Sequence, residues 1–529
     1  MKYTLFTNGK FATMDGSGQR AEAMLVGGDR IVEVGTVWEV AGHPLAPEAE
    51  KVDLQGRRVI PGLIDTHVHF AAYAEGKQAV DLSECRSIPE IVDKLKARAK
   101  DHSKDKWIRG MGFDHSLLQE KRLPTRQDLD EIRNPVFLTR VCFHAHCVNT
   151  EALRRAGLLV PEGRTEGVEC DATGEPTGVI LESGADRVAS AQHAEEGTSD
   201  SHLDTLAACM KEFASYGLTS FNTTSAVHLG ITETFGAYQD LRRMQKQLQR
   251  VTIHFNELPG QQMRSFFGDD MLRFGGLKIF ADGGFCAQTG AMSFDYKNAP
   301  GHRGSLNYSD EELKGIFLKA QRQGVQVAVH TVGDRAMEQV LGTFEAVMNA
   351  CPRPFLRHRI LHCYIVRGWQ RKKMASLGLI GDIQPRFVAD EIDIAEYGIP
   401  AEHLVDAYAW KSLARDGVLI TGSSDCPAAL PNPWLGIESA VNRVRARERT
   451  PEGGWYPEQK LTLDEAMALY TAHAAVSLGA GRSLGTLETG KLADFVVLED
   501  DPWSMGPEDL GRVRVRSTWR GGEEIYSMA

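Results

Sequence analysis

Two histidines one residue apart close an apolar run, Val59-Ile-Pro-Gly-Leu-Ile-Asp-Thr-His-Val-His-Phe70. Side chains alternate faces along a strand, so His67 and His69 point to one place while Val68 turns back into the packing. Paired neutral imidazoles at a strand end begin a site for Zn²⁺, Fe²⁺ or Mn²⁺. Two polar residues at a strand terminus are the plainer alternative. Four more polar residues interrupt or end later apolar runs: Lys278, His330, His362 and Asp425. Each has an ordinary explanation: a histidine bonded to a backbone carbonyl, Asp425 capping the next turn, Lys278 paired with Asp282. Those explanations must all hold at once. Lys278 is the most telling, because an ammonium inside an apolar strand is costly and burial pushes it toward the neutral amine. A neutral amine adds CO₂ to give a carbamate, a carboxylate-like group able to bridge two cations.

These residues need a frame that delivers them to one face. From 275 onward strands and helices alternate. Strand candidates are Gly276–Asp282, Val325–His330, Arg359–Val366, Leu379–Pro385 and Gly417–Asp425; helices are expected over Asp310–Arg322, Arg335–Val347 and about 367–377. Upstream, Ser201–Tyr216 reads as a helix followed by a strand from Gly217. Repeated βα units with apolar strands imply a parallel sheet covered by helices. The count fits an α/β fold, a (β/α)8 barrel, whose sites lie at the C-terminal strand ends. Residues 1–58 and 477–529 read instead as short strands joined by Asn8-Gly9, Gly27-Gly28-Asp29 and Gly521-Gly522, which suggests hairpins. The two ends are expected to share a small β domain flanking a barrel over 59–476. An insertion of about residues 70–200 holds the helix Ile88–Lys100 and the strand Pro135–Val141.

Composition narrows the function classes. At 529 residues, 42% hydrophobic and 25% charged, the chain suits a large globular protein. A formal net charge of −11 argues against nucleic acid or an anionic membrane as partner. The N-terminus lacks the apolar core of a signal peptide, and no apolar run is long enough to span a bilayer. Nine scattered cysteines without a CxxC pair fit a reduced, cytoplasmic setting. Cys142, Cys147, Cys286, Cys363 and Cys426 read as buried structural thiols rather than ligands.

The order HxH, Lys, His, His, Asp resembles the amidohydrolase superfamily. More closely, the chain is similar to the subgroup of YtcJ-like proteins and N-substituted formamide deformylase. The resemblance rests on Pro61-Gly-Leu-Ile-Asp-Thr-His-Val-His69, Leu277-Lys-Ile-Phe-Ala-Asp-Gly283, His330-Thr-Val-Gly-Asp-Arg-Ala336, Arg357-His-Arg-Ile-Leu-His362, Gly422-Ser-Ser-Asp425 and Gly490-Lys-Leu-Ala-Asp-Phe-Val-Val-Leu498. Leu138-Thr-Arg-Val with His144 and Val148-Asn149, and Gly174-Glu-Pro-Thr-Gly-Val-Ile, add to it within the insertion.

The resemblance implies a (β/α)8 barrel with a β-sandwich-like domain built from both termini, a homodimer, and one or two divalent metal ions, zinc first, iron or manganese next. It implies that His67 and His69 bind the more buried metal and that Lys278, carboxylated by CO₂, bridges. His330 and His362 would bind the second metal, and Asp425 would touch the first metal and the nucleophilic water. The implied reaction is hydrolysis of a non-peptide C–N bond of a small molecule by metal-activated hydroxide. A lyase or isomerase on the same barrel, or a catalytically silent binding barrel, are the alternatives. Two positions depart from the family's pattern. Leu361 stands where a glutamate usually precedes the histidine, and Gln288 where an arginine often precedes the threonine. Asp114, His144, Gln288 and Arg386 are expected substrate contacts.

Overall fold

The computed structural model describes residues 2–17, 21–141, 145–159, 165, 167–181, 183–196, 200–225, 230–260 and 263–529. These form two compact units, Met1–His69 with Ala208–Thr224 and Arg242–Ala529, and Phe70–Ala207 with Ser225–Leu241.

The first unit holds the barrel. Its strands are β1 (Leu63–Val68), β2 (Leu218–Thr224), β3 (Arg250–Phe255), β4 (Leu272–Phe280), β5 (Gln326–Thr331), β6 (Arg359–His362), β7 (Ile380–Ile383) and β8 (Leu419–Gly422). They pair in parallel in sequence order from β1 to β8. The ring closes just beyond the strand ends. The Asp425 N–H donates to the His67 carbonyl at 2.9 Å, and the His69 N–H donates to the Cys426 carbonyl at 2.7 Å.

The strands expected from the sequence do not include β3, although its alternation is that of a strand. Its apolar residues Val251, Ile253 and Phe255 alternate with Thr252 and His254, and all five are buried. The barrel interior here is polar. His254 bridges Asn222 of β2 at 2.8 Å and Gln326 of β5 at 3.2 Å. Arg359 of β6 pairs with Asp382 of β7, both fully buried. A buried polar network is tolerable when its members satisfy one another.

The covering helices form where local signals agree. The helix Asp310–Gln323 begins with Ser309 accepting from the Glu312 N–H while Glu312 bonds back. It ends at Gly324 in the left-handed region, φ 82°. A capping box and a C-terminal glycine set both boundaries. Beyond β7, Pro385 sits in the first turn of the helix Pro385–Gly398, where its missing N–H costs nothing.

The termini build a β-sandwich. One sheet orders Arg30–Gly35, Ala23–Gly27, Tyr3–Thr7 and Glu50–Asp53; the other orders Lys10–Phe11, Arg58–Pro61, Phe495–Leu498, Val515–Arg520 and Glu523–Ser527. Phe6, Met24, Val59, Phe495 and Val497 fill the space between them. The turns at Gly28-Asp29 and Gly521-Gly522 close hairpins as expected. Asn8-Gly9 does not. It carries the chain from one sheet to the other, because Lys10–Phe11 pairs in parallel with Arg58–Val59 and buries Phe11 in the sandwich core. A buried bidentate pair, Arg250 Nε and Nη2 to Asp494 at 2.7 and 2.8 Å, ties β3 to the C-terminal segment.

The second unit is a mixed sheet ordered Val168–Cys170, Pro176–Leu181, Ala145–Val148, Val136–Arg140, Ile108–Phe113 and Val80–Asp81. The helix Ile88–Lys100 packs Ile91, Val92 and Leu95 into its core. Among the described residues, no helix is long and apolar enough to cross a membrane.

Candidate metal centre

Strand alternation turns Asp65 and His67 of β1 to the barrel interior, with His69 just beyond the strand. His67 is 1% exposed, and His69 is about one-third exposed at the rim. Between them lies Asp425, whose Oδ1 is 3.1 Å from His67 Nε2 and 3.3 Å from His69 Nε2. These three ligand atoms all fall within 4.8 Å of one another. Burial drives His67 well below the usual histidine range, and the nearby Lys278 adds to the effect, so the imidazole is neutral. Burial works against the Asp425 charge, but the two facing imidazoles hold it well below the usual carboxylate range.

Lys278 enters from β4. Its Nζ is 3.4 Å from His67 Nε2 and 4.5 Å from the centroid of the Phe280 ring. Burial lowers the amine to about 7. The expected alternative partner, Asp282, is otherwise engaged: its oxygens accept from the N–H groups of Ala291, Val332 and Gly333 at 2.8–3.0 Å. His330 ends β5 and His362 ends β6, their ring centroids 4.4 Å apart, and the His362 ring is 5.9 Å from that of His67. The six residues singled out by the sequence therefore gather at the C-terminal ends of β1, β4, β5, β6 and β8.

The backbone bends sharply to achieve this. His362, Cys363 and Asp425 have φ of 76°, 49° and 54°. Such conformations are uncommon for residues other than glycine and persist where surrounding structure enforces them. For Asp425 the enforcement is visible. Asp65, fully buried and raised by that burial to about 7, accepts the Ser424 N–H at 3.1 Å and the His67 N–H at 3.2 Å. One carboxyl thus pins the β1 end to the segment carrying Asp425. Sequence reasoning passed over Asp65, although its place two residues before His67 puts it on the same strand face.

Gln384 was also passed over. Its Oε1 lies 2.8 Å from His362 Nδ1, and its Nε2 donates to Ser423 Oγ at 2.8 Å, which donates to Asp382 Oδ1 at 2.8 Å. An amide oxygen can only accept, so His362 carries its proton on Nδ1 and presents a free Nε2 lone pair. Burial lowers His362 to about 4, which keeps the ring neutral. Removing such an orienting partner typically weakens metal binding about 10–100-fold. Gln384→Leu is therefore expected to lose affinity in that range in a chelator-competition titration, with Gln384→Glu, which keeps an acceptor, recovering most of it. Unchanged affinity in the leucine variant would remove Gln384 from the ligand-orienting role.

The remaining expectations fare differently. Leu361 is fully buried and lies in register between His330 and Asp382. Gln288 sits half-buried in the loop after β4 with φ 57°, and its carbonyl accepts from His302 Nε2 at 2.7 Å. Arg386, in the helix after β7, is held by Asp390 at 2.9 and 3.0 Å. Asp114 belongs to the second unit, where it accepts from Arg140 at 2.8 Å. His144 lies outside the described residues.

The donor set fits a divalent cation. Two imidazole nitrogens converge on Asp425 Oδ1, a buried carboxylate oxygen without a properly directed hydrogen bond. Neutral imidazole with carboxylate suits zinc, iron or manganese.

Comparison with known proteins gives a consistent result. The family described as "Amidohydrolase family" matches residues 50–526. A protein of Bacillus subtilis (strain 168) that carries the name amidohydrolase YtcJ is 30% identical over 99% of this chain and 99% of its own length. The N-substituted formamide deformylase of Arthrobacter pascens is 30% identical over 99% of this chain and 98% of its own. Among solved structures, an uncharacterized metal-dependent hydrolase from Pyrococcus horikoshii OT3 superposes with a TM-score of 0.80 at 26% identity, covering 96% of this chain and 99% of that one.

Proposed function

The chain belongs to the amidohydrolase family, and from that premise we propose that it hydrolyses an amide, formamide or related C–N bond of a small molecule at the centre formed by His67, His69, Lys278, His330, His362 and Asp425. One observation carries the proposal: the Nε2 atoms of His67 and His69 close around the Asp425 oxygen, with the Lys278 amine beside them. His67 and His69 would hold the more buried ion and His330 and His362 a second. Lys278, as the carbamate that its neutral amine would form by adding to CO₂ and shedding a proton, would supply a carboxylate-like ligand to both. A bound divalent ion lowers the pKa of water toward ~7 and polarises a carbonyl oxygen.

The chain's own groups move the proton. Asp425, ionised and facing the two imidazoles, takes it from the water that attacks the carbonyl and returns it to the departing nitrogen, as base and then acid. The amide carbon then carries the new C–O bond and the amine leaves neutral. The same reading takes zinc as the resident ion, a homodimer as the assembly and the cytoplasm as the setting; the scattered cysteines and the family support it.

The test has two parts. Elemental analysis of protein purified without chelator is expected to find about one or two equivalents of zinc, iron or manganese. A panel of N-substituted formamides, simple amides and cyclic amides is then expected to yield amine with incorporation of solvent oxygen into the acid. Protein that binds no metal even on reconstitution, or that turns over the panel without water incorporation, overturns the proposal.

A further inference from the structure

Glu391 is unlike the other acids of its helix. Asp390 takes Arg386, while Asp393 and Glu396 take Arg445. Glu391 has no lysine or arginine among its described partners. Its Oε2 accepts from two tyrosine hydroxyls, Tyr364 and Tyr408, each at 2.7 Å. Its Oε1 accepts from the Cys286 thiol at 3.9 Å, its one hydrogen-bond partner among the described residues. Tyr364 and Tyr408 are buried, Glu391 is half-buried and Cys286 is exposed, so the carboxylate lies between a closed floor and an open rim.

The surroundings are aromatic and adjoin the metal centre. Phe387 and Glu391, four residues apart on one helix, share a face. The Tyr364 ring centroid is 6.1 Å from those of Phe387, Phe285 and His362. A carboxylate without a counter-cation is costly in such a place, and burial raises Glu391 to about 7. Aromatic faces attract cations, and so does a carboxylate.

We propose that Glu391 with Tyr364, Phe387 and Phe285 forms a second anchor of the substrate pocket, which binds a cationic amine carried by the substrate away from the bond that is cleaved. This rests on the hydrolase function proposed above for the site next to it.

Binding is measured first, by calorimetry on the metal-loaded enzyme. The probe is benzyltrimethylammonium, which has no lone pair to offer a metal; 2-phenylethanol is its neutral counterpart. The wild type is expected to bind the cation at least about tenfold more tightly. Glu391→Gln is expected to reduce that ratio to about twofold or less. If the glutamine variant does not fold, Cys286→Lys decides the matter: a resident ammonium at the exposed rim beside Oε1 is expected to abolish the preference while leaving Glu391 in place. A preference that survives in either folded variant, or its absence in the wild type, overturns the proposal. Turnover separates this result from the reading it rests on. The formamides of 4-(trimethylammonio)benzylamine and 4-tert-butylbenzylamine are compared, with kcat/KM expected to favour the cation about tenfold in the wild type and not in Glu391→Gln. Cation-selective binding with neither these formamides nor any member of the amide panel cleaved keeps the anchor and removes the hydrolase reading; equal cleavage of both in the wild type removes the anchor and keeps the hydrolase.

Discussion

Replacing Asp425 with asparagine is expected to lower kcat by about 10²–10⁴, the range that a positioned general acid–base group supplies, while the protein remains folded. The two halves of that expectation come from different features. Asparagine cannot take a proton from water, and it removes the charge that His67 and His69 face at 3.1 and 3.3 Å. The fold survives because Asp425 sits at φ 54°, a left-handed conformation that asparagine also tolerates. The segment is held besides by the Asp425 N–H donating to the His67 carbonyl and the Ser424 N–H donating to the Asp65 carboxyl. Rates over a pH series with the same metal content in both proteins make the comparison. Turnover close to wild type would show that the proton travels by another route, and loss of the folded transition would show that Asp425 is structural first.

How much of this was legible in the chain depends on the scale of the interaction. The six central residues were readable because each breaks an apolar run, and a polar residue inside a buried strand is an anomaly visible without coordinates. The barrel followed from the strand–helix rhythm after residue 275. β3 was missed although Val251, Ile253 and Phe255 alternate with Thr252 and His254; what the sequence could not show is the network of His254 with Asn222 and Gln326, which lie far away in sequence. Long-range satisfaction of that kind leaves no local signal of which residues will meet. Asn8-Gly9 misled for the complementary reason. The dipeptide specifies a turn, but which sheet receives the next strand is decided by the burial of Phe11.

The same distinction runs through the site. Gln384 and Asp65 act through groups that other strands deliver, so their residue types alone carried no signal. Arg386 was expected to touch substrate; what the sequence did not display is its ion pair with Asp390 one helical turn onward. Glu391, five residues after Arg386, has no lysine or arginine among its described partners, which the sequence cannot display.

Lys278→Ala is expected to abolish most activity, with a fall in kcat/KM of at least about a hundredfold and loss of part of the bound metal, since a bridging ligand tunes both. Three features argue against a mere packing role. The amine is 1% exposed, lies 3.4 Å from His67 Nε2, and has lost its obvious acidic partner, because Asp282 is saturated by three backbone N–H groups. With its value lowered to about 7, the neutral amine that CO₂ requires is abundant at neutral pH and becomes scarce as pH falls below that. Truncation to alanine leaves a cavity at the place proposed for the carbamate, so a small carboxylic acid such as formate is expected to restore metal binding and a measurable share of turnover. Lys278→Met, which fills the cavity, is expected to resist that rescue. The contrast between the two variants carries the assignment: equal rescue would mean that formate acts elsewhere, and full activity in unrescued Lys278→Ala would mean that the histidines and Asp425 suffice without a bridge.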